Sequence, residues 1–132
     1  MKYLLDTNII IAFQKRHQGL LAQMKKHSVS DFALSNIVLF ELAFGAYNSQ
    51  KVDENLHKLS QLRFPTLTFN SQDAYQAGKI RATLQQKGTP IGAYDTLIAG
   101  QAIAQNLILI THNVKEFERV NGLKFEDWLN EK

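Results

Sequence analysis

The chain contains no cysteine among its 132 residues. That excludes disulfide scaffolds, thiolate zinc sites and cysteine nucleophiles, and it fits a reducing compartment, so the cytoplasm is the expected location. Proline is scarce, with only 2 residues, and no Pro-, Gly- or Ser-rich linker, repeat or low-complexity tract breaks the chain; one domain over residues 1–132 is expected. No apolar run approaches the ~20 residues of a membrane span, and the N-terminal "MKYLLDTNIIIAFQKRH" is interrupted too early, by Asp6, to read as a signal peptide. Neither GxxxxGK[ST] nor GxGxxG occurs, so nucleotide binding through those loops has no support. A large excess of one charge is missing too: 15 Lys and Arg against 12 Asp and Glu leave +3. This is mildly basic, compatible with a polyanionic partner without demanding one.

What remains is ordinary globular material, 45% hydrophobic and 20% charged, with an alternating pattern. Short apolar strands are expected at 2–5, 32–34, 66–69 and 107–110. Helices are expected between them. Thr7 is placed to cap "NIIIAFQKR", a second helix covers 20–27, and Ser35 caps "NIVLFELAFGAYNS". An amphipathic helix over 53–64 carries Leu56, Leu59, Leu62 and Phe64 and stops at Pro65. Asn70 and Asp73 have the spacing of a capping box at the head of a helix reaching Gln86, and "YDTLIAGQAIAQ" follows Gly88 and Pro90. Strands alternating with helices predict an α/β fold: a central parallel sheet of about four to five short strands with helices on both faces. Ligands in such sheets sit at the carboxyl ends of the strands.

Three carboxylates stand alone in this pattern. Asp6 is the only charged residue between Lys2 and Lys15, and Glu41 the only one between Asp31 and Lys51. Between Lys87 and Lys115, His112 aside, the only one is Asp95. Glu41 sits within "IVLFELAFG", apolar on every side, and Asp95 shares a helix face with Ile98, Ala99 and Ala102. Burying a carboxylate without a partner costs several kcal/mol as an order of magnitude, so each needs a basic partner or a metal. None of the three windows contains Lys or Arg. A hard divalent cation would satisfy all three, and oxygen-only ligation points to Mg²⁺, with Mn²⁺ as a substitute. The alternative for Asp6 and Asp95 singly is a helix cap; Glu41, in mid-helix, has no such role.

In order along the chain, "LLDTNIII", "SNIVLFELAFGA", "IGAYDTLIAGQA" and "LILITHNVKEFERVNGLKFEDW" resemble the motifs of the PIN-domain ribonucleases, and within them the VapC-type toxins of bacterial toxin–antitoxin pairs. The resemblance runs from Tyr3 to Trp128. It implies a PIN-like fold with the family's acids at Asp6, Glu41 and Asp95, which would be both catalytic and metal-binding. It also implies Mg²⁺-dependent RNA cleavage leaving a 5′-phosphate and a 3′-hydroxyl, inhibition of translation, and neutralisation by a cognate VapB-type antitoxin. Similarity to the enterobacterial toxins suggests initiator tRNA as the RNA, with ribosomal and messenger RNA still open. A homodimer is expected from apolar helix surface that one small domain cannot cover.

The fourth motif departs from the fullest pattern, which has an acid after the last strand's threonine. Here Thr111 is followed by His112 and Asn113. Asn113 either offers a neutral oxygen to the catalytic site or caps the turn "VKEF", and Glu116 is the nearest acid that could substitute. RNA phosphates would be gripped by basic residues: Lys15 and Arg16 at the end of the first helix, and Lys79, Arg81 and Lys87 in "GKIRATLQQKG", with a solvated helix face as the plainer reading. His17, His27 and His57 read as surface residues. Among rival functions, a phosphate-receiving domain has no use for a glutamate in an apolar helix. A haloacid-dehalogenase-type phosphatase needs an acid at position 8, which is Asn. The remaining alternative is a catalytically weak PIN module that only binds protein or RNA.

Overall fold

A computed structural model of the chain describes residues 1–129. β1 (Tyr3–Leu5) leads into α1 (Thr7–Gln14) and α2 (Gln18–Met24). β2 (Phe32–Ser35), α3 (Asn36–Tyr47) and α4 (Val52–Ser60) follow, then β3 (Thr66–Leu67) and the long α5 (Ser71–Gln86). The chain ends with α6 (Ala93–Ala104), β4 (Ile108–Ile110), α7 (Val114–Phe117) and β5 (Phe125–Glu126). The five strands form one parallel sheet in the order β3-β2-β1-β4-β5. β5, at the edge, is the strand that the apolar pattern leaves unmarked: two residues, half-buried Phe125 and exposed Glu126, carry no run of their own.

All of β1 and β2 is buried, as is most of β4, which requires cover on both faces and explains why these strands read as unbroken apolar runs rather than alternating ones. Leu4, Leu5, Ile9, Ile10, Ile98, Leu109 and Ile110 are fully enclosed; each such side chain contributes about 1.5–3 kcal/mol relative to exposure. The tightest helix contact is α5 against α6. A Cβ built on Gly100 would lie 2.6 Å from the Ala77 backbone, so only glycine permits that approach.

Several local expectations change. Asp6, not Thr7, is the N-cap of α1, its Oδ1 accepting from the Thr7 backbone N–H at 2.8 Å. α4 stops at Ser60 rather than running to Phe64; Phe64 leaves the helix and is buried against Phe13 and Phe32, ring centroids 5.1 and 6.2 Å away. Tertiary packing wins there over the continuing apolar period. His27 is half-buried, stacked on Trp128 at 5.7 Å and edge-on to Tyr3, and His17 caps α2 by accepting from the Leu20 N–H. Ser35 caps α3, and Asn70 with Asp73 forms the expected capping box on α5.

The topology fixes where a site can form. From β1 the chain steps outward through β2 to β3, then returns to the other side of β1 for β4 and β5. The strand order therefore reverses between β1 and β4, and the carboxyl ends of these two strands open the crevice where sheets of this kind bind ligands. Asp6 and Thr111 are the first residues beyond β1 and β4.

Candidate active site

Asp6 bridges the switch point. It is 3% exposed, and its Oδ2 accepts from the Thr111 hydroxyl at 2.7 Å while Oδ1 caps α1. The Thr111 hydroxyl in turn accepts from the Asn113 backbone N–H. The Asp6 carboxylate is thus locked in orientation by the ends of two strands. Thr7, next in sequence, donates its hydroxyl to Glu41 Oε1 at 3.0 Å, which ties α3 to α1 and aims Glu41 at the same crevice. Asp95, in the first turn of α6, accepts from Asn113 Nδ2 at 3.2 Å.

Asn113 fits neither expectation from the fourth motif: it presents its amide N–H₂, not its oxygen, to the acids. It occupies the N-cap position of α7 but makes no side-chain cap bond; its amide turns inward and donates to both Asp95 and Glu116. Glu116 reaches the cluster as well, its Oε1 accepting from the Gly92 N–H at 3.2 Å. The structure therefore gathers Asp6, Glu41, Asp95 and the pair Asn113 and Glu116 from four segments of the chain. Glu41 is less enclosed than its apolar neighbours in sequence suggest. It is half-buried, because Phe40, Phe44 and Tyr47 on the same helix lie at the surface.

The electrostatics follow from this crowding. Burial raises the pKa of Asp6, with the Thr111 and Thr7 hydrogen bonds opposing and the Glu116 charge adding. Burial likewise raises that of Glu41, opposed by the Thr7 hydroxyl and reinforced by the Asp6 charge. Asp95 is pushed up to about 8, first by burial, then by the hydrogen bond it shares with Glu116 and by the charges of Asp6, Glu116 and Glu41. Glu116 is held below its ordinary value, chiefly by that same bond from Asp95 and by Asn113. The opposite directions of the two shifts have one cause: two adjacent carboxylates cannot both ionise cheaply.

Among the described residues the ion pairs are Lys51–Glu54, Lys58–Glu54 and His112–Asp127, and none of them touches the cluster. The donors present are hydroxyls, backbone N–H groups and one amide. They orient the carboxylates without cancelling their charge. The ligands offered are oxygens only, the kind that a hard cation takes. Among the described residues no group of three His, Cys, Asp or Glu side chains is set so as to hold a metal ion as the chain stands. Mg²⁺ keeps several waters and binds through one or two carboxylates, so it asks for fewer protein ligands than that.

The basic residues divide. Lys79 and Lys87 line one hollow of about 280 Å³ on α5, together with Arg119. Arg81 faces a different, mostly apolar groove between α5 and α6, along with Pro90 and Ile91. Lys15 and Arg16 are exposed just past the C-terminal end of α1, about 13 Å along the helix axis from Asp6 at 1.5 Å per residue. They are not brought to the acids. Sequence patterns do not mark Lys58, which shares with Glu41 a shallow groove of about 200 Å³ between α1, α3 and α4; its only signal is a basic residue in the last turn of α4. Nor do they mark the positioning role of Thr7 and Thr111, although both threonines adjoin the motif acids in "LLDTN" and "LILITHN".

The same fold occurs in known proteins. The family model for the PIN domain matches residues 3–123. The tRNA(fMet)-specific endonuclease VapC of Salmonella typhimurium is 38% identical over 130 residues, covering 97% of this chain and 98% of that one. The ribonuclease VapC1 of Haemophilus influenzae is 38% identical over 132 residues, again covering 97% and 98%. Among solved structures, the DNA-bound VapBC of Salmonella typhimurium superimposes with a TM-score of 0.91 at 37% identity, covering 97% of this chain and 98% of the matched one. Fold and whole-length similarity agree, and the chain belongs to the PIN-domain family, in its VapC group.

Proposed function

We propose that this protein is a metal-dependent endoribonuclease toxin that cleaves RNA and inhibits translation, and that a VapB-type antitoxin neutralises it. The observation that carries the reading is the gathering of Asp6, Glu41, Asp95 and Glu116 at the switch point with no ion-pair partner among the described residues. Relatives named as VapC endonucleases and ribonucleases support the same activity, and the Salmonella relative's name supports initiator tRNA as the substrate.

Asp6, Glu41 and Asp95 would hold Mg²⁺, or Mn²⁺ in its place, with Glu116 beside them. When bound, such an ion supplies positive charge to the phosphoryl oxygens and an acidified water for in-line attack. The chain's own groups do the rest. The Thr111 and Thr7 hydroxyls hold the Asp6 and Glu41 carboxylates in fixed orientation. Asn113 keeps Asp95 and Glu116 together. Lys15, Arg16, Lys79, Arg81 and Lys87 contribute sequence-independent attraction for the RNA backbone.

The antitoxin would supply a basic side chain to the acids in place of the ion, an exchange supported by VapBC complexes among the structural relatives. A homodimer is supported by the exposed aromatic side chains of α3, Phe40, Phe44 and Tyr47. The test is cleavage of an initiator tRNA transcript and of total RNA in Mg²⁺ and in EDTA, using the parent, Asp6→Asn, Glu41→Gln and Asp95→Asn. Mg²⁺-dependent cleavage is expected in the parent, with losses on the order of 10³-fold or more in each variant, as when a group acting in the transition state is removed. A parent that cleaves no RNA in Mg²⁺ would instead favour a PIN module that only binds.

A further inference from the structure

The hollow beside α5 has a composition that the acid cleft does not explain. Exposed Lys79, Lys87 and Arg119 line it, with Gln76, Thr83 and Asn121 beside them and buried Ile80, Leu84 and Val120 beneath, and no carboxylate does. None of the three cations takes part in an ion pair among the described residues. Like charges collected on one concave surface repel one another, and neutral amides and hydroxyls do not cancel that repulsion; an anion does.

The hollow is also fastened to the catalytic cleft. Arg119 Nη1 donates to the Pro90 carbonyl at 2.9 Å, and two residues further on the Gly92 N–H donates to Glu116 Oε1 at 3.2 Å. Arg119 and Glu116 both follow β4, at α7 and just beyond its end. One short loop, 90–92, is thus held on one side by the basic hollow and on the other by the acid cluster. A strand of nucleic acid crossing the cleft would pass from an acidic, ion-requiring patch onto a basic one.

Resting on the ribonuclease reading, we infer that Lys79, Lys87 and Arg119 form a subsite for a backbone phosphate of the RNA, flanking the scissile bond, and that Arg119 both contacts that phosphate and fixes the 90–92 loop. The remaining basic residues then fall into lesser roles. Arg81 faces the apolar groove on the other side of the loop, and Lys15 and Arg16 stand at the far end of α1.

The experiment uses the full chain and an initiator tRNA transcript. Lys79→Gln, Lys87→Gln, the double variant and Arg119→Gln are assayed for cleavage in Mg²⁺. Binding of the same transcript is followed across a salt series with Ca²⁺ in place of Mg²⁺. The double variant is expected to lose about 10- to 100-fold in kcat/KM, carried in KM, and each lost phosphate contact should lower the salt slope of binding by about 1. Arg119→Gln should add a fall in kcat, because it also frees the loop that holds Glu116. Should Arg119→Gln fail to fold, the two lysines, which make no side-chain hydrogen bond among the described residues, still decide the matter.

A parent that cleaves the RNA, with variants that bind it as tightly and with the same salt slope, would overturn the subsite while leaving the ribonuclease reading intact. Variants that lose affinity for the co-expressed antitoxin but not for RNA would also overturn it, and would assign the hollow to the protein partner. A parent that neither binds nor cleaves RNA removes both readings together.

Discussion

Asp73 and Asp6 are both buried carboxylates, 0% and 3% exposed, yet their surroundings are opposite in kind. Asp73 lies in the first turn of α5. Its Oδ1 accepts from Gln105 Nε2 at 2.9 Å, and its Oδ2 from Gln101 Nε2 at 3.0 Å and the Asn70 N–H at 2.9 Å. Three donors from the cap and from α6 and its C-cap enclose it, and no second acid appears among its partners. Asp6 receives only two donors, the Thr7 N–H and the Thr111 hydroxyl, and feels the charge of Glu116 while adding its own to Glu41 and Asp95. Burial alone therefore does not mark a functional acid. A carboxylate saturated by neutral donors is part of the packing, whereas one grouped with other carboxylates lacks a charge that must come from outside the chain.

Removing the saturated acid sharpens this contrast most. Asp73→Ala removes one of the two acceptors of Gln101 Nε2, leaving only the Thr68 carbonyl, in a fully buried side chain whose Oε1 already has no partner, and takes away the N3 half of the α5 capping box. A loss of about 2–4 kcal/mol is expected in denaturant melts. Cleavage per folded molecule should stay within a few-fold of the parent. A variant that keeps its stability but loses RNA cleavage would place Asp73 in the functional class and break the distinction.

A pH series tests the other half. The folded-state pKa of Asp95, about 8, lies above its ordinary value of 3.8, so between those values the folded protein keeps a proton that the unfolded chain has released. Stability of the metal-free protein should then fall as pH rises from about 4 to 8, and level off above. The lowered pKa of Glu116 acts in the opposite sense, removing stability only as pH falls below its ordinary 4.5. Melting temperatures in EDTA should decline from pH 5 to pH 8 in the parent and decline less steeply in Asp95→Asn. Parallel profiles for the two proteins would show that Asp95 keeps no proton in the folded state.

The smallest effect belongs to Asn113. Replacing it by Asp removes the amide that donates to Asp95 and Glu116 and sets a carboxylate against two others. The metal-free protein should lose about 1–2 kcal/mol, while calorimetric titration should show severalfold tighter Mg²⁺ binding. Unchanged melts and unchanged affinity would return Asn113 to the role of a helix cap.

Much of the fold and of the acid cluster is legible in the amino-acid sequence, and the reason differs from place to place. β1, β2 and β4 are mostly buried, so their apolar runs are unambiguous; the isolation of Asp6 from other charges reflects enclosure, whereas Glu41 and Asp95 are half-buried and their charge-free windows include exposed aromatic residues. Features set by contacts distant in sequence leave no such local mark. The end of α4 at Ser60 depends on Phe64 finding Phe13 and Phe32. The inward turn of Asn113 depends on Asp95, 18 residues earlier. Asp73 is visible as a cap partner, but its enclosure comes from Gln101 and Gln105, 28 and 32 residues away. The two-residue β5 has no pattern to read because it pairs on one side only, at the sheet edge.

That Asp6 belongs to a cluster lacking a cation rather than to the packing is tested most directly by melting the parent and Asp6→Asn at pH 7.5 in EDTA and again in excess Mg²⁺. An ion that binds only the folded state stabilises it by RT ln(1 + [L]/Kd), about 2.7 kcal/mol at a hundredfold excess over Kd. Mg²⁺ is expected to raise the melting temperature of the parent by several degrees and to leave that of Asp6→Asn unchanged, with the variant melting no lower than the parent in EDTA. A parent indifferent to Mg²⁺, together with an Asp6→Asn variant clearly less stable in EDTA, would contradict this and make Asp6 an acid of the same kind as Asp73.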